Sequence, residues 1–284
     1  MEQKDRYYQQ IMELNGMEEL KQEVRKWEVL ADNIGHFPLE QEILLPDYFW
    51  ISGAGTGKSY VLRLLAQYLE ARQIMDFSGN KKVIEFELGY CEPSGPFSEL
   101  TRLIECLSYE AGYRQYYRGI LAVHITPWLS HMKEPHMNRF LEFLSENTKD
   151  WLIVLIADAD VKAEERACRQ IAYYLRYKTI HIALPKTGVL YQHLERRCMS
   201  YGISISKEAG KILTDAIEVM KSNPYFDGYN TINLMAQEMI YDLYSSKILE
   251  EKQITAEMLQ ESGSGDSFIC HYMKPVCQRG EETE

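Results

Sequence analysis

Apolar residues recur at helical spacing across residues 14–34, LNGMEELKQEVRKWEVLADNI, where Met17, Leu20, Val24, Trp27 and Leu30 form one stripe behind the start signal Asn15-Gly16. This periodicity predicts an amphipathic helix. The stretch HFPLEQEILLPD breaks it, and Tyr48 to Ile51 is continuously apolar, which predicts a short buried strand. Helical spacing resumes at Lys58. After the turn FSGNKK, VIEFELG alternates apolar and polar residues as a strand does. A tyrosine-rich segment reading as helix extends to Arg118, and GILAVHI then gives a second strand of this region. HMNRFLEFLSENTKD is helical, with Met137, Phe140, Leu141 and Leu144 on one face. It leads into WLIVLIA, an unbroken apolar run of the kind buried in parallel sheets, and TIHIAL supplies a further short strand ending at Pro185.

Strands alternating with helices predict an α/β fold, a parallel sheet sandwiched by helices, with any ligand outside the carboxyl ends of the strands. From Gly188 onward the pattern is all helical, through LYQHLERRCMSYG, SKEAGKILTDAIEVMKS, NTINLMAQEMIYDLYSSKIL and TAEMLQE. The expected organisation is a helical lead-in (1–46), an α/β core (47–187), a small all-helical domain (188–261) and a tail (262–284). The SGSGDS and GEETE composition of the tail predicts disorder, and the chain has no internal repeat.

One local motif carries chemistry. ISGAGTGKSY meets the phosphate-loop pattern G-x-x-x-x-G-K-[S/T] at Gly57, Lys58 and Ser59, with Ser52 in place of the first glycine. Gly53, Gly55 and Gly57 let the backbone curl so that successive N–H groups point inward, and the following helix adds its positive end. Gly53, Ala54, Gly55, Thr56, Gly57, Lys58, Ser59 and Tyr60 are therefore the candidate nucleotide-binding residues. Lys58 would reach the β and γ phosphates and the Ser59 hydroxyl would ligate Mg²⁺, so ATP and Mg²⁺ are the expected cofactors. A turn that binds nothing would also accept glycines, but the strand before and the amphipathic helix after are the context a phosphate loop requires.

Composition narrows the class of partner. The formal charge is −11, from 42 acidic and 31 basic residues, which disfavours nonspecific attraction to nucleic acid or anionic lipid. Protein or small-molecule partners are expected instead. No apolar run approaches the ~20 residues that cross a bilayer and MEQKDRYYQQ lacks an apolar signal core, so the expectation is a soluble cytoplasmic protein. Six cysteines lie scattered without a C-x-x-C pair and read as reduced thiols, with Cys270, His271 and Cys277 a weak metal alternative.

With the loop in place, the chain resembles the AAA+ ATPases. NGMEELKQEV is similar to that family's Gly-[Met/Leu]-x-x-x-Lys opening, whose residues line the adenine, and the order of helix, phosphate loop, α/β core and helical lid is also theirs. The resemblance is closest to the rubisco-activase-like (CbxX/CfxQ) branch, through FDGYNTINLMAQEMI and ITAEML, and covers residues 14–260. It implies a second motif, an apolar strand ending in Asp-Glu, in which the Asp holds Mg²⁺ through water and the Glu polarises the attacking water. GILAVHITPWL is similar to the family's GVLFIDEAYSL but places His124 and Ile125 where the carboxylates belong. WLIVLIADAD is the competing strand and offers Asp158 and Asp160.

Strand order favours the first alignment, because taking WLIVLIA as the carboxylate strand leaves GILAVHI without a place. VLIADAD then corresponds to the family's sensor strand, with Asp158 near the γ phosphate. The resemblance also implies a sensor arginine in the lid, where FDGYNT has Asn230. YYLRYKTIHIALP, similar to LRSRF…IEFP, makes Arg176 either the finger offered to a neighbouring subunit or an ordinary surface charge. His124 alone reads as a packed or hydrogen-bonded histidine rather than a base. The tyrosines of YEAGYRQYYRG read as half-buried helix faces or as a peptide-gripping loop, which in relatives falls nearer YCEPSGPF.

Three functions remain in view. The first is an ATP-binding AAA+-like module with weak or absent hydrolysis, regulatory or structural, that self-associates or joins an AAA+ partner. The second is an active ATPase that remodels a protein client with Asp158 and Asp160 as its carboxylates. The third is a signalling NTPase switch, suggested by CEPSGPFSELTRLI.

Overall fold

Five strands align in parallel in a single sheet whose order is β2-β3-β4-β1-β5. They are β1 (Asp47–Ser52), β2 (Val83–Glu87), β3 (Gly119–His124), β4 (Trp151–Ala157) and β5 (Tyr177–Ile182). The computed structural model describes residues 3–36, 44–77, 81–89, 118–223, 225–245 and 252–261. Two helices precede the sheet, α1 (Gln3–Met12) and α2 (Glu18–His36). The crossovers carry α3 (Lys58–Ala71), α4 (Pro135–Glu146) and α5 (Val161–Ile171), and a 3₁₀ turn at Thr126–Trp128 follows β3.

Alternation along the strands divides the interior in two. Tyr48, Trp50, Ile120, Ala122, Leu152, Val154 and Ile156 meet Leu20, Val24 and Trp27 of α2 and Leu62, Leu65 and Leu69 of α3. Phe49, Leu121, Val123, Ile153 and Leu155 meet Phe140 and Leu144 of α4 and Ala167 and Ile171 of α5. Strand β4 is buried at all seven positions, as its unbroken apolar run predicts for a strand covered on both faces. Helix α1 lies within the expected helical lead-in, although no periodicity was read over its own residues. Its QKDRYYQQIM is mostly polar, yet Ile11 is fully buried in the first of these cores.

The described chain forms two units, one comprising Met1–Gly53 with Lys58–Ala183, the other Ala54–Gly57 with Leu184–Glu284. The second contains α6 (Thr187–Met199), α7 (Lys207–Met220), α8 (Gly228–Ser245) and α9 (Ala256–Glu261). Leu190, Leu194, Leu213, Ile217, Ile232, Met235 and Met239 make its core. The Ser206 hydroxyl caps α7 by accepting from the Ala209 N–H at 3.2 Å. The expectation of helices alone needs one correction. Ser204–Ile205 and Gln253–Ile254 pair in parallel as β6 and β7, strands of two residues each and too short for alternation to show. The stretches YCEPSGPF and CEPSGPFSELTRLI, the tyrosine segment before Arg118, and the tail with Cys270, His271 and Cys277 lie outside the described residues. No described helix is long and apolar enough to cross a membrane.

One buried carboxyl group sets a pH dependence. Asp47 opens β1, is 4% exposed, and accepts a hydrogen bond from the Ile153 N–H at 3.0 Å. Burial pushes its carboxyl up to about 7, and the Ile153 bond offsets that only in part. Between about pH 4 and about pH 7 the unfolded chain loses this proton while the folded chain keeps it. Stability therefore declines with rising pH, by at most about 1.4 kcal/mol per pH unit from this group, and levels off above about pH 7. Asp47→Asn removes that contribution. Denaturant titrations at a series of pH values should show the variant gaining on the parent from pH 5 to pH 8; parallel curves would contradict the assignment.

Candidate phosphate-binding site

The chain leaves the sheet at Ser52, the last residue of β1, and re-enters helix at Lys58. Between them Gly55 and Gly57 have φ of +64° and +87°, a left-handed region that costs side-chain-bearing residues about 1–2 kcal/mol each. Ser52 does not share that conformation and pairs within the strand with Ile182. Serine is therefore accommodated where the motif has its first glycine. In the second unit, the Tyr229 N–H donates to the Gly55 carbonyl at 2.8 Å, and a Cβ on Gly55 would lie 2.1 Å from the Asp227 carbonyl. Glycine is required at 55 on both counts. Thr56 is buried, whereas Tyr60 is exposed on the first turn of α3.

Lys58 and Ser59 begin α3, so both belong to the helix terminus that carries its positive dipole end. The Lys58 ammonium donates to the Gly53 carbonyl. The Ser59 hydroxyl donates to Glu85 Oε1 at 2.9 Å, and the same oxygen lies 2.8 Å from His124 Nε2. Hydrogen bonding from His124, reinforced by Ser59 and by the charge of Arg63, holds the Glu85 carboxyl below the usual carboxylate range despite its partial burial. The Glu85 side chain is 28% exposed and that of His124 17%.

The candidate carboxylates fall in different places. Asp158 follows β4, and a Cβ placed on Gly53 would lie 3.5 Å from its Oδ2, so this carboxylate stands against the start of the loop. Its backbone N–H donates to Thr126 Oγ1 at 3.0 Å, which ties the residue after β4 to the turn after β3. Asp160 caps α5, accepting from the Ala163 N–H at 2.7 Å. His124 ends β3 on the face that meets α3, while Ile125 turns to the opposite core and is fully buried.

Arg176 is exposed just before β5, and its carbonyl accepts from the Asp47 N–H, at the end of β1 remote from the loop. In the second unit Asn230 donates to Asp227 Oδ2 at 2.9 Å. Glu85 is the site residue that sequence reasoning missed. Its signal was a charged residue inside VIEFELG, which alternation alone reads as a solvent-facing position.

No family model matches the chain, and no curated protein matches it in sequence. Solved structures do resemble it. Caenorhabditis elegans PCH-2 is similar over 92% of this chain and 70% of its own, at 12% identity and a TM-score of 0.52. A point mutant of Thermotoga maritima RuvB is similar over 88% and 68%, at 10% identity and a TM-score of 0.47. The Aeropyrum pernix ORC1 protein, solved in complex with DNA, is similar over 88% and 64%, at 14% identity and a TM-score of 0.49. At such identities the likeness speaks to architecture alone. A parallel five-stranded sheet flanked by helices, followed by a helical C-terminal region, has the AAA+ α/β fold.

Proposed function

We propose that this chain is an AAA+ protein that binds ATP or ADP with Mg²⁺ at residues 53–60, hydrolyses ATP slowly or not at all, and acts as a nucleotide-dependent regulatory or structural module. The observation that carries this reading is the passage of β1 through two left-handed glycines into α3, with Lys58 and Ser59 on the first turn of that helix. The residues fit the ligand. Left-handed glycines turn backbone N–H groups toward an anion, Lys58 adds a full positive charge, and Ser59 offers the oxygen that a hard cation takes. Bound Mg²⁺ would neutralise phosphate charge.

Slow hydrolysis is supported by the end of β3. Orienting and deprotonating water calls for a carboxylate, general-base help being worth typically 10²–10⁴-fold, and the two side chains there are an imidazole and a fully buried isoleucine. A second reading, an active ATPase that remodels a protein client, is favoured by Asp158, whose carboxylate stands against Gly53. Asp160 is a weaker candidate because its carboxylate serves the α5 cap.

ATP with Mg²⁺ should raise the melting temperature, because a ligand bound only by the native state adds about 2.7 kcal/mol at a hundredfold excess over Kd. Lys58→Ala should abolish the rise. Turnover measured on the same sample separates the readings: binding without phosphate release is expected, whereas release abolished by Asp158→Ala establishes the second. A melting temperature unmoved by nucleotide would reject both.

Arg176 bears on assembly. From Asp47 to Ser52 the sheet spans about 17 Å, at ~3.3 Å per residue, so Arg176 acts on a phosphate only if that phosphate sits in another subunit. Arginines supplied in this way to other NTPases contribute 10³–10⁵-fold in rate. In a chain that binds without turnover, the same contact would sense nucleotide and hold neighbours together. ATP should therefore promote self-association or association with an AAA+ partner, and Arg176→Ala should weaken it with little change in nucleotide affinity. Light scattering with and without ATP, alongside recovery of bound partners, tests this; a solitary monomer in both conditions would leave Arg176 an ordinary surface charge.

A further inference from the structure

The end of the sheet that carries the glycine loop holds a three-way contact that the strand-end motif does not explain. Glu85 Oε1 accepts a hydrogen bond from the Ser59 hydroxyl at 2.9 Å and lies 2.8 Å from His124 Nε2. We propose that Glu85, on β2, is the carboxylate of the Mg²⁺ site, supplied from the neighbouring strand in place of the one that β3 lacks at His124. The inference rests on the nucleotide-binding reading and specifies which side chain completes it.

The chemistry follows from what a serine hydroxyl can do. It has one proton and two lone pairs. When its oxygen turns a lone pair to a cation, its proton needs an acceptor on the other side, and an anionic acceptor makes the oxygen a better ligand. Glu85 already occupies that role toward Ser59. A carboxylate offers two oxygens and about four lone-pair sites, so a group that receives Ser59 and His124 on Oε1 retains Oε2 for a metal-bound water. The imidazole, donating through Nε2, fixes the carboxylate and stabilises its ionised form.

Register explains the reach. Glu85 lies directly opposite Ala122 of β3, on the face that α3 covers, and His124 is two residues further along the same face. Adjacent strands are about 4.8 Å apart, a separation that the Glu85 side chain bridges to reach His124 Nε2 on β3 as well as the Ser59 hydroxyl. Among the described residues no group of three or more His, Cys, Asp or Glu side chains could cage a metal alone. That composition suits Mg²⁺ held by a hydroxyl, phosphates and water, with a carboxylate behind them.

The test reads metal coupling rather than turnover. ATP affinity is measured by displacement of a fluorescent ATP analogue, in EDTA and in saturating Mg²⁺, and the ratio of the two Kd values is compared between proteins. Glu85→Gln, which keeps the shape and removes the charge, should lower the ratio tenfold or more while the Kd in EDTA changes less than about twofold, as for other residues that support metal ligands. Adding His124→Asp to Glu85→Gln returns a carboxylate to the end of β3 and should restore most of the ratio. Melting temperatures without nucleotide establish that each variant is folded. A Glu85→Gln ratio equal to that of the parent, or a parent that binds ATP equally in EDTA and Mg²⁺, overturns this inference alone. A parent that binds no ATP in either condition overturns the nucleotide-binding reading with it.

Discussion

Side chains on a strand point alternately to opposite faces, and that two-residue period determines what the loop after β1 can meet. Tyr48 and Trp50 face α3 from β1, as do Ile120, Ala122 and His124 from β3 and Leu152, Val154 and Ile156 from β4. Continued past the end of β4, the same face receives Asp158; on β2 it receives Glu85. A slip of one residue in any strand would exchange these groups for the apolar set beneath α4 and α5. Ile125 shows the other side of the rule. It follows His124 by one position and is committed to the core with Trp128 and Leu129.

The polar groups at this end of the sheet support one another. Thr126 receives the Asp158 N–H, and the Ile125 N–H donates to the Ile156 carbonyl at 2.8 Å, so the chain segments leaving β3 and β4 are held as a pair. One carboxylate then stands against Gly53 at the start of the loop, and another against the Ser59 hydroxyl on the first turn of α3. Negative charge near a helix amino terminus is favourable through the macrodipole. A divalent cation, attracted to carboxylates, would be the natural companion of a polyphosphate bound at this end of the sheet.

The parts legible in the sequence were those with local signatures. The glycine loop is a contiguous stretch between a strand and a helix, and the buried strands β1 and β4 are apolar runs of ordinary length. What was not legible depended on pairing. The contact of Glu85 with Ser59 requires β2 to lie beside β3 with Glu85 opposite Ala122, and no periodicity within VIEFELG encodes a neighbour. Asp158 and Asp160 look equivalent in ADAD, yet one stands beside the loop and the other caps α5, because the helix begins between Asp160 and Val161. Helix α1 was hidden by its polar composition, and its burial comes from partners elsewhere in the chain. The placement of Asp47 inside the fold was invisible for a similar reason: its acceptor role toward Ile153 spans 106 residues.

The strand order also sets a gradient of opening. Strand β1 is hydrogen-bonded on both sides, to β4 and to β5, so its amides exchange with solvent only when two ladders come apart, close to the global unfolding limit. Among the described residues β2 is bonded on one side only, to β3. The loop is thus suspended from one of the last segments to open, and Glu85 rides on one of the first. A fluctuation that frees β2 would release the Glu85 carboxylate from Ser59 while the strand leading into the loop stays paired, so sub-global opening would uncouple the two halves of the site.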